Sequence, residues 1–245
     1  MNKQLLLENI RGVLMRLEET IIFALMERAQ FCVNAPVYEP GRFGAATGGE
    51  SLLGYLLRET EQIHARMRRY TSPDEHPFFP AVLPEPILPA LRFDESPLSG
   101  PAINHNQLLR KLYETEIIPC LCRPGDDAQY GSCAVTDVAC LQVLSRRIHY
   151  GMFVAESKFR ETPESFRETI RAGDTAELLR LITHPEIEER VLKRVELKAR
   201  TYGRDFDGRA GQDRIQADAV VEIYRRWVMP LTKEIEVEYL LRHPR

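Results

Sequence analysis

The sequence predicts an all-α protein, a helical bundle with long N-terminal, central and C-terminal helices, and three observations predict it. Apolar residues recur at helical spacing through most of the chain, no segment alternates convincingly with the period of a half-buried strand, and the periodic stretches are set off by cap residues, glycines and prolines. The 245 residues show no shift in composition that would mark a boundary, so a single domain over residues 1–245 is expected. A hydrophobic fraction of 44% with 28% charged residues is globular, and a net charge of −3 gives no general attraction to nucleic acid or an anionic membrane. Any basic site must therefore be local. No apolar run reaches the roughly 18 residues that cross a bilayer, and Met1-Asn2-Lys3-Gln4 runs straight into an amphipathic segment, which predicts a cytosolic protein. The five cysteines are odd in number, and Cys120 and Cys122 lack the two-residue gap of a zinc knuckle or redox pair, so structural thiols and no metal are expected.

From Leu5 to about Phe31, the residues Leu6, Ile10, Leu14, Leu17, Ile21 and Leu25 form one helical stripe. Arg11 and Glu18 lie at its edge, so each either snorkels to solvent or points into an internal site. Residues 36 to 50, punctuated by Gly41, Gly44, Gly48 and Gly49, read as a loop; no strand precedes them, which rules out a dinucleotide-binding turn. Ser51 is placed to cap a second helix through Tyr70, whose closing Arg66-Met67-Arg68-Arg69 sets cations at the negative helix end. Residues 71 to 103 hold eight of the sixteen prolines, interleaved with Phe78, Phe79, Ile87, Leu88 and Phe93. That mixture predicts an ordered arm over the bundle, neither helix nor central strand.

Helical periodicity resumes from Gln107 to about Ile118, and after a loop from Arg123 to Gly131, Ser132 is expected to cap the next helix. Thr162-Pro163-Glu164 and Asp174-Thr175-Ala176-Glu177 open two short helices and Pro185 a longer one. Ala217 to Leu241 reads as a last long helix, kinked by Pro230, with Thr232 and Glu236 sharing a face beyond the kink.

The organising stretch is Leu141 to Phe159, read as one long helix built to hold an anion. At about 100° per residue, Arg147, Gly151, Val154 and Lys158 fall within roughly 60° of one another. Two cations thus flank a concave floor of small apolar groups, and charges aimed at a gap call for a negative partner. The alternative is that both snorkel or pair with acids of a neighbouring helix.

Four runs, Asn9-Ile10-Arg11, Arg66 through Glu75, Leu144-Ser145-Arg146-Arg147-Ile148-His149-Tyr150-Gly151 through Phe159, and Pro230 through Leu241, resemble the all-helical chorismate mutases of fungi and plants. The likeness covers nearly the whole chain in order, most weakly at residues 36–50 and 81–105. It implies conversion of chorismate to prephenate, toward phenylalanine and tyrosine, by a homodimer without cofactor. It also implies Arg11 and Arg147 as clamps on the two carboxylates, with Thr232 donating a hydroxyl to one of them. Lys158 and a protonated Glu236 would donate to the ether oxygen, and Glu188 would accept from the ring hydroxyl. His184 stands where the fungal enzyme carries an asparagine. Within a regulatory segment of about 51–140, Arg68 and Arg69 would take the carboxylate of an amino-acid effector at the dimer interface. Gln129, Gly131 and Ser132 would form the facing turn, with tyrosine inhibiting and tryptophan activating; Val135 and Gln216 replace fungal threonines. A catalytically silent amino-acid-binding protein of the same fold is the competing reading. Substituted clamps would favour it, and Arg11, Arg147, Lys158, Thr232 and Glu236 are all present.

Overall fold

A computed structural model describes residues 7–89, 98–204 and 215–243. Among these residues every regular element is helical, apart from one isolated bridge between Cys32 and Arg123. Leu5 and Leu6 of the first predicted helix and Phe93 of the arm lie outside the described residues. Helix α1, Leu7–Ala29, buries Ile10, Leu17, Ile21 and Leu25 as the stripe predicts, and packs along α5, Tyr130–His149.

The α1–α5 seam is pinned by a fully buried ion pair, Arg28 Nε to Asp137 Oδ1 at 2.6 Å. Asp137 also accepts from the hydroxyls of Tyr38 and Tyr113 at 2.9 and 2.8 Å, and Arg28 donates onward to the carbonyls of Cys32 and Val33. Burial pushes the Asp137 carboxyl up while the Arg28 guanidinium holds it down. Removing one partner strands the other charge in a dry interior. Asp137→Leu is therefore expected to lose about 3–5 kcal/mol in urea unfolding. Adding Arg28→Met should recover part of that loss; a single variant less than about 1 kcal/mol below wild type would contradict a charge that depends on its partner.

Helix α2 spans Leu52–Arg66, and the Ser51 hydroxyl accepts from the Gly54 amide at 3.1 Å, as a cap should. It ends at Arg66 and not at Tyr70. Arg68 takes a left-handed φ of 59° and its amide returns to the Ala65 carbonyl at 2.7 Å, after which Arg69–Thr71 form a 3-10 turn. The proline-rich arm is ordered by buried anchors. The Glu61 carboxylate accepts from the Phe78 and Phe79 amides at 2.8 and 2.9 Å, Phe78 and Ile103 enter the core, and His76 stacks on His149 with ring centres 4.3 Å apart. Burial lowers these two imidazoles to about 4 and about 3, so both stay neutral at physiological pH. Between the anchors the arm is less embedded than its composition suggests, with Val82, Ile87 and Leu88 exposed.

Helix α3, Asn106–Leu112, passes through a π turn at Tyr113–Ile117 into α4, Ile118–Leu121. A second π turn, Tyr224–Val228, separates α10, Ala217–Ile223, from α11, Met229–Leu241. Each widened turn ends two residues before a proline, Pro119 and Pro230. Proline cannot donate to the carbonyl one turn back and its ring crowds that carbonyl, so the strain of Pro230 is taken up as an extra residue in the preceding turn. Ser132 is not the cap of α5: Gln129 holds the cap position, its amide bonded to Asp127 Oδ1 at 3.1 Å, and the helix begins at Tyr130. The organising stretch also divides, because α5 stops at His149 and α6, Gly151–Glu161, starts after Tyr150. The amides of Phe153 and Val154 converge on the Tyr150 carbonyl at 3.1 and 3.2 Å, a local tightening in a path that otherwise continues. Helices α7, Pro163–Ala172, α8, Thr175–Ile182, and α9, Pro185–Tyr202, follow the predicted starts, with Asp174 capping α8 through the Glu177 amide.

Candidate active site

Helices α1, α5, α6, α7, α8, α9 and α11 line a cavity of about 420 Å³. All seven candidate catalytic residues line it: Arg11 from α1, Arg147 from α5, Lys158 from α6, His184 and Glu188 from the start of α9, and Thr232 and Glu236 from α11. Their apolar company is Ile10, Leu14, Val154, Ile182, Val191 and Met229, so the polar groups stand out on an otherwise greasy wall.

Gly151 departs from the predicted floor, since α11 fills the space beside it and leaves no room for an anion there. Glu18 points inward but away from the cavity, held by Arg194 in a two-pronged pair at 2.8 and 2.5 Å and by Lys198 at 3.3 Å. Lys233 is the cation the sequence reading missed. It sits next to Thr232, a step of about 100° off the i,i+4 face that was used to find the site, and it pairs with Glu188 at 3.0 Å.

Arg147 is 7% exposed, yet among the described residues its guanidinium bonds only the Thr232 hydroxyl, 3.2 Å from Nη1, and its buried Nε has no hydrogen-bond partner. Thr232 spends its own proton on the Val228 carbonyl at 2.6 Å. In this geometry it accepts from Arg147 and orients it, so the expected donation to a ligand carboxylate is not made ready. Across the cavity, Lys158 Nζ donates to Glu236 Oε2 at 3.0 Å and to the Ile182 carbonyl at 2.9 Å. Burial raises the Glu236 carboxyl above its ordinary range, against the opposing pull of Lys158. Arg11, Arg147, Lys158 and Lys233 thus face Glu161, Glu188 and a Glu236 inclined to hold its proton, leaving the cavity cationic. Such a lining is complementary in charge to a compact polyanion with apolar surface between its charged groups.

The predicted effector residues are not assembled within one chain. Arg69 bonds Glu75 and Gln142, at 3.0 and 2.9 Å, and Arg68 bonds the Pro89 carbonyl at 2.6 Å. Gln129, Gly131 and Ser132 lie at the start of α5, about 15–20 Å along that helix from Gln142.

The family described as Chorismate mutase type II matches residues 129–237. Chorismate mutase 1, chloroplastic, of Petunia hybrida is 47% identical over 244 residues, covering 96% of this chain and 75% of that protein. Among solved structures, AtCM1 with tyrosine bound in the allosteric site superposes with a TM-score of 0.88 at 45% identity, covering 98% of this chain and 97% of that one. The Aro7p chorismate mutase from Candida albicans in complex with L-Trp gives a TM-score of 0.92 at 37% identity, over 98% and 92%. The expectation of a cytosolic protein does not stand, because relatives from Petunia hybrida, Arabidopsis thaliana and Zea mays are named chloroplastic, while a second one from Zea mays is named cytosolic. The opening residues are no guide to the compartment.

Proposed function

The chain belongs to the chorismate mutase family and is an isomerase that converts chorismate to prephenate, and on that premise we propose that the cationic cavity is where it does so. The observation that carries the assignment is Arg147, a buried guanidinium that lines a cavity with a second arginine and whose Nε has no hydrogen-bond partner among the described residues. Chorismate carries two carboxylates, and its rearrangement is unimolecular, so holding it in a compact chair-like shape is most of the task. Arg11 and Arg147 clamp the carboxylates, each guanidinium offering a planar fork that matches them. Thr232 keeps Arg147 aimed. As the ether bond breaks, negative charge grows on its oxygen, and Lys158 with protonated Glu236 donate to it. Glu188, held by Lys233, accepts from the ring hydroxyl, and His184 stands at the cavity wall beside it. Chorismate added to the purified protein should lose its characteristic absorbance with first-order decay under saturating enzyme. Absence of turnover would return the silent, amino-acid-binding reading.

The proposal extends to regulation. Relatives carry tyrosine in an allosteric site or L-Trp in complex, and a homodimer would bring the Arg68–Arg69 turn of one copy toward the α5 start of the other. The exposed Ile63 on α2, Met67 just past its end and Val135 on α5 are the apolar surface such a pairing would cover. Tyrosine should lower activity and tryptophan raise it. Joint replacement Arg68→Ala and Arg69→Ala is expected to weaken tyrosine binding at least tenfold, about 1.4 kcal/mol, while unregulated turnover survives. Calorimetry that finds the same affinity in the double variant would count against both arginines.

A further inference from the structure

We infer that Gly151 is a positioning residue, kept bare so that α11 can close on α6 and bring Thr232 and Glu236 into register with Arg147 and Lys158. The inference rests on the cavity being the active site. Gly151 opens α6 in ordinary helical conformation, so no backbone requirement calls for glycine, and alanine would make the better helix. What forbids alanine is the neighbour. A Cβ there would stand 2.8 Å from the Thr232 carbonyl oxygen, 3.1 Å from Thr232 Cγ2 and 3.4 Å from Glu236 Cγ. The closest of these is backbone, which cannot swing aside as a side-chain tip can. Helix α11 would have to move off by a few tenths of an ångström at the crossing.

Two cavity contacts to α11, one from Arg147 on α5 and one from Lys158 on α6, end on the two residues that would be displaced. Arg147 Nη1 to Thr232 Oγ1 is already 3.2 Å, and Lys158 Nζ to Glu236 Oε2 is 3.0 Å. A displacement too small to unfold the bundle therefore loosens the aim of one clamp and changes the charge spacing at the proton donor. Misplacement on the scale of 1 Å is enough to lose about two orders of magnitude in rate.

The test compares Gly151→Ala with Gly12→Ala, a helical glycine of α1 whose added Cβ meets nothing closer than 3.9 Å. Gly151→Ala should lower kcat/KM at least tenfold, mainly through kcat, with its melting temperature close to wild type, while Gly12→Ala leaves activity unchanged. The high-pH fall of kcat/KM should also move in Gly151→Ala, because the Lys158–Glu236 spacing helps set that ionisation; a merely structural glycine would not shift it. Wild-type kcat/KM and pH profile in Gly151→Ala would overturn the inference. Should that chain not fold, Gly151→Ala with Thr232→Ser, which removes one obstructing methyl, is compared with Thr232→Ser alone, and equal activity in the two overturns it. Arg147→Ala assayed alongside separates the layers: if it is as active as wild type, the cavity assignment falls too, whereas an inactive Arg147→Ala beside a fully active Gly151→Ala removes only the positioning role.

Discussion

Arg147→Ala and Lys158→Ala are each expected to reduce kcat/KM at least about a hundredfold, the scale set by losing one preorganised donor to developing or fixed negative charge. Arg147 is nine-tenths buried and the protein leaves its guanidinium incompletely hydrogen-bonded among the described residues, so a substrate carboxylate would supply the partner it lacks. The effect of truncation should therefore fall on substrate and transition state together, raising KM as well as lowering kcat. Lys158 differs. Its ammonium already has the Ile182 carbonyl and Glu236 as partners, so its loss should show chiefly in kcat, where charge on the ether oxygen is met. Far-UV circular dichroism should be unchanged in both, since neither residue holds α5 or α6 in the core. Either variant retaining more than a third of wild-type kcat/KM would refute the assignment of this wall.

The second large effect is a proton. An ionised Glu236 can only accept a hydrogen bond and would repel the charge forming at the ether oxygen, so the working form must be protonated. Burial moves the carboxyl upward and Lys158 moves it back, burial being the larger influence. The raised direction fixes the sign: protonated enzyme predominates below the shifted value, and kcat/KM falls as pH rises through it, starting above the ordinary value of about 4.3. Glu236→Gln keeps the shape and always presents N–H donors. It should retain activity at low pH and lose most of the high-pH decline, whereas Glu236→Ala should be poor throughout. A glutamine variant whose decline coincides with wild type would assign the titration to another group.

Much of the site was legible because the clues are local. Periodicity alone puts Arg147 and Lys158 on one face and Thr232 and Glu236 one turn apart, and the cavity unites them; Arg11, His184 and Glu188, and every residue's role, came only from the family resemblance. What escaped the sequence depends on neighbours. Nothing in Tyr150 or Gly151 by itself announces a helix junction; the junction exists where α11 crosses, and that crossing is a tertiary fact. Pro230 disclosed a disturbance, but whether the helix bends or widens into a π turn is decided by packing. Lys233 was overlooked because a single face of α11 was followed, although a cavity deeper than one row of side chains draws on two. Ser132 looked like a cap until Asp127, from the preceding loop, supplied the bond to the helix start.

The sealed Arg28–Asp137 pair also constrains how this sequence can drift. Neither residue can be exchanged first without passing through a protein that holds a lone charge in its interior, so a descendant with an apolar pair at these positions is separated from this one by a valley. With the hydroxyls of Tyr38 and Tyr113 tied to the same carboxylate, the valley is crossed only by changes at several sites in concert. The seam should therefore vary as a block, all of its polar members retained together or all replaced together.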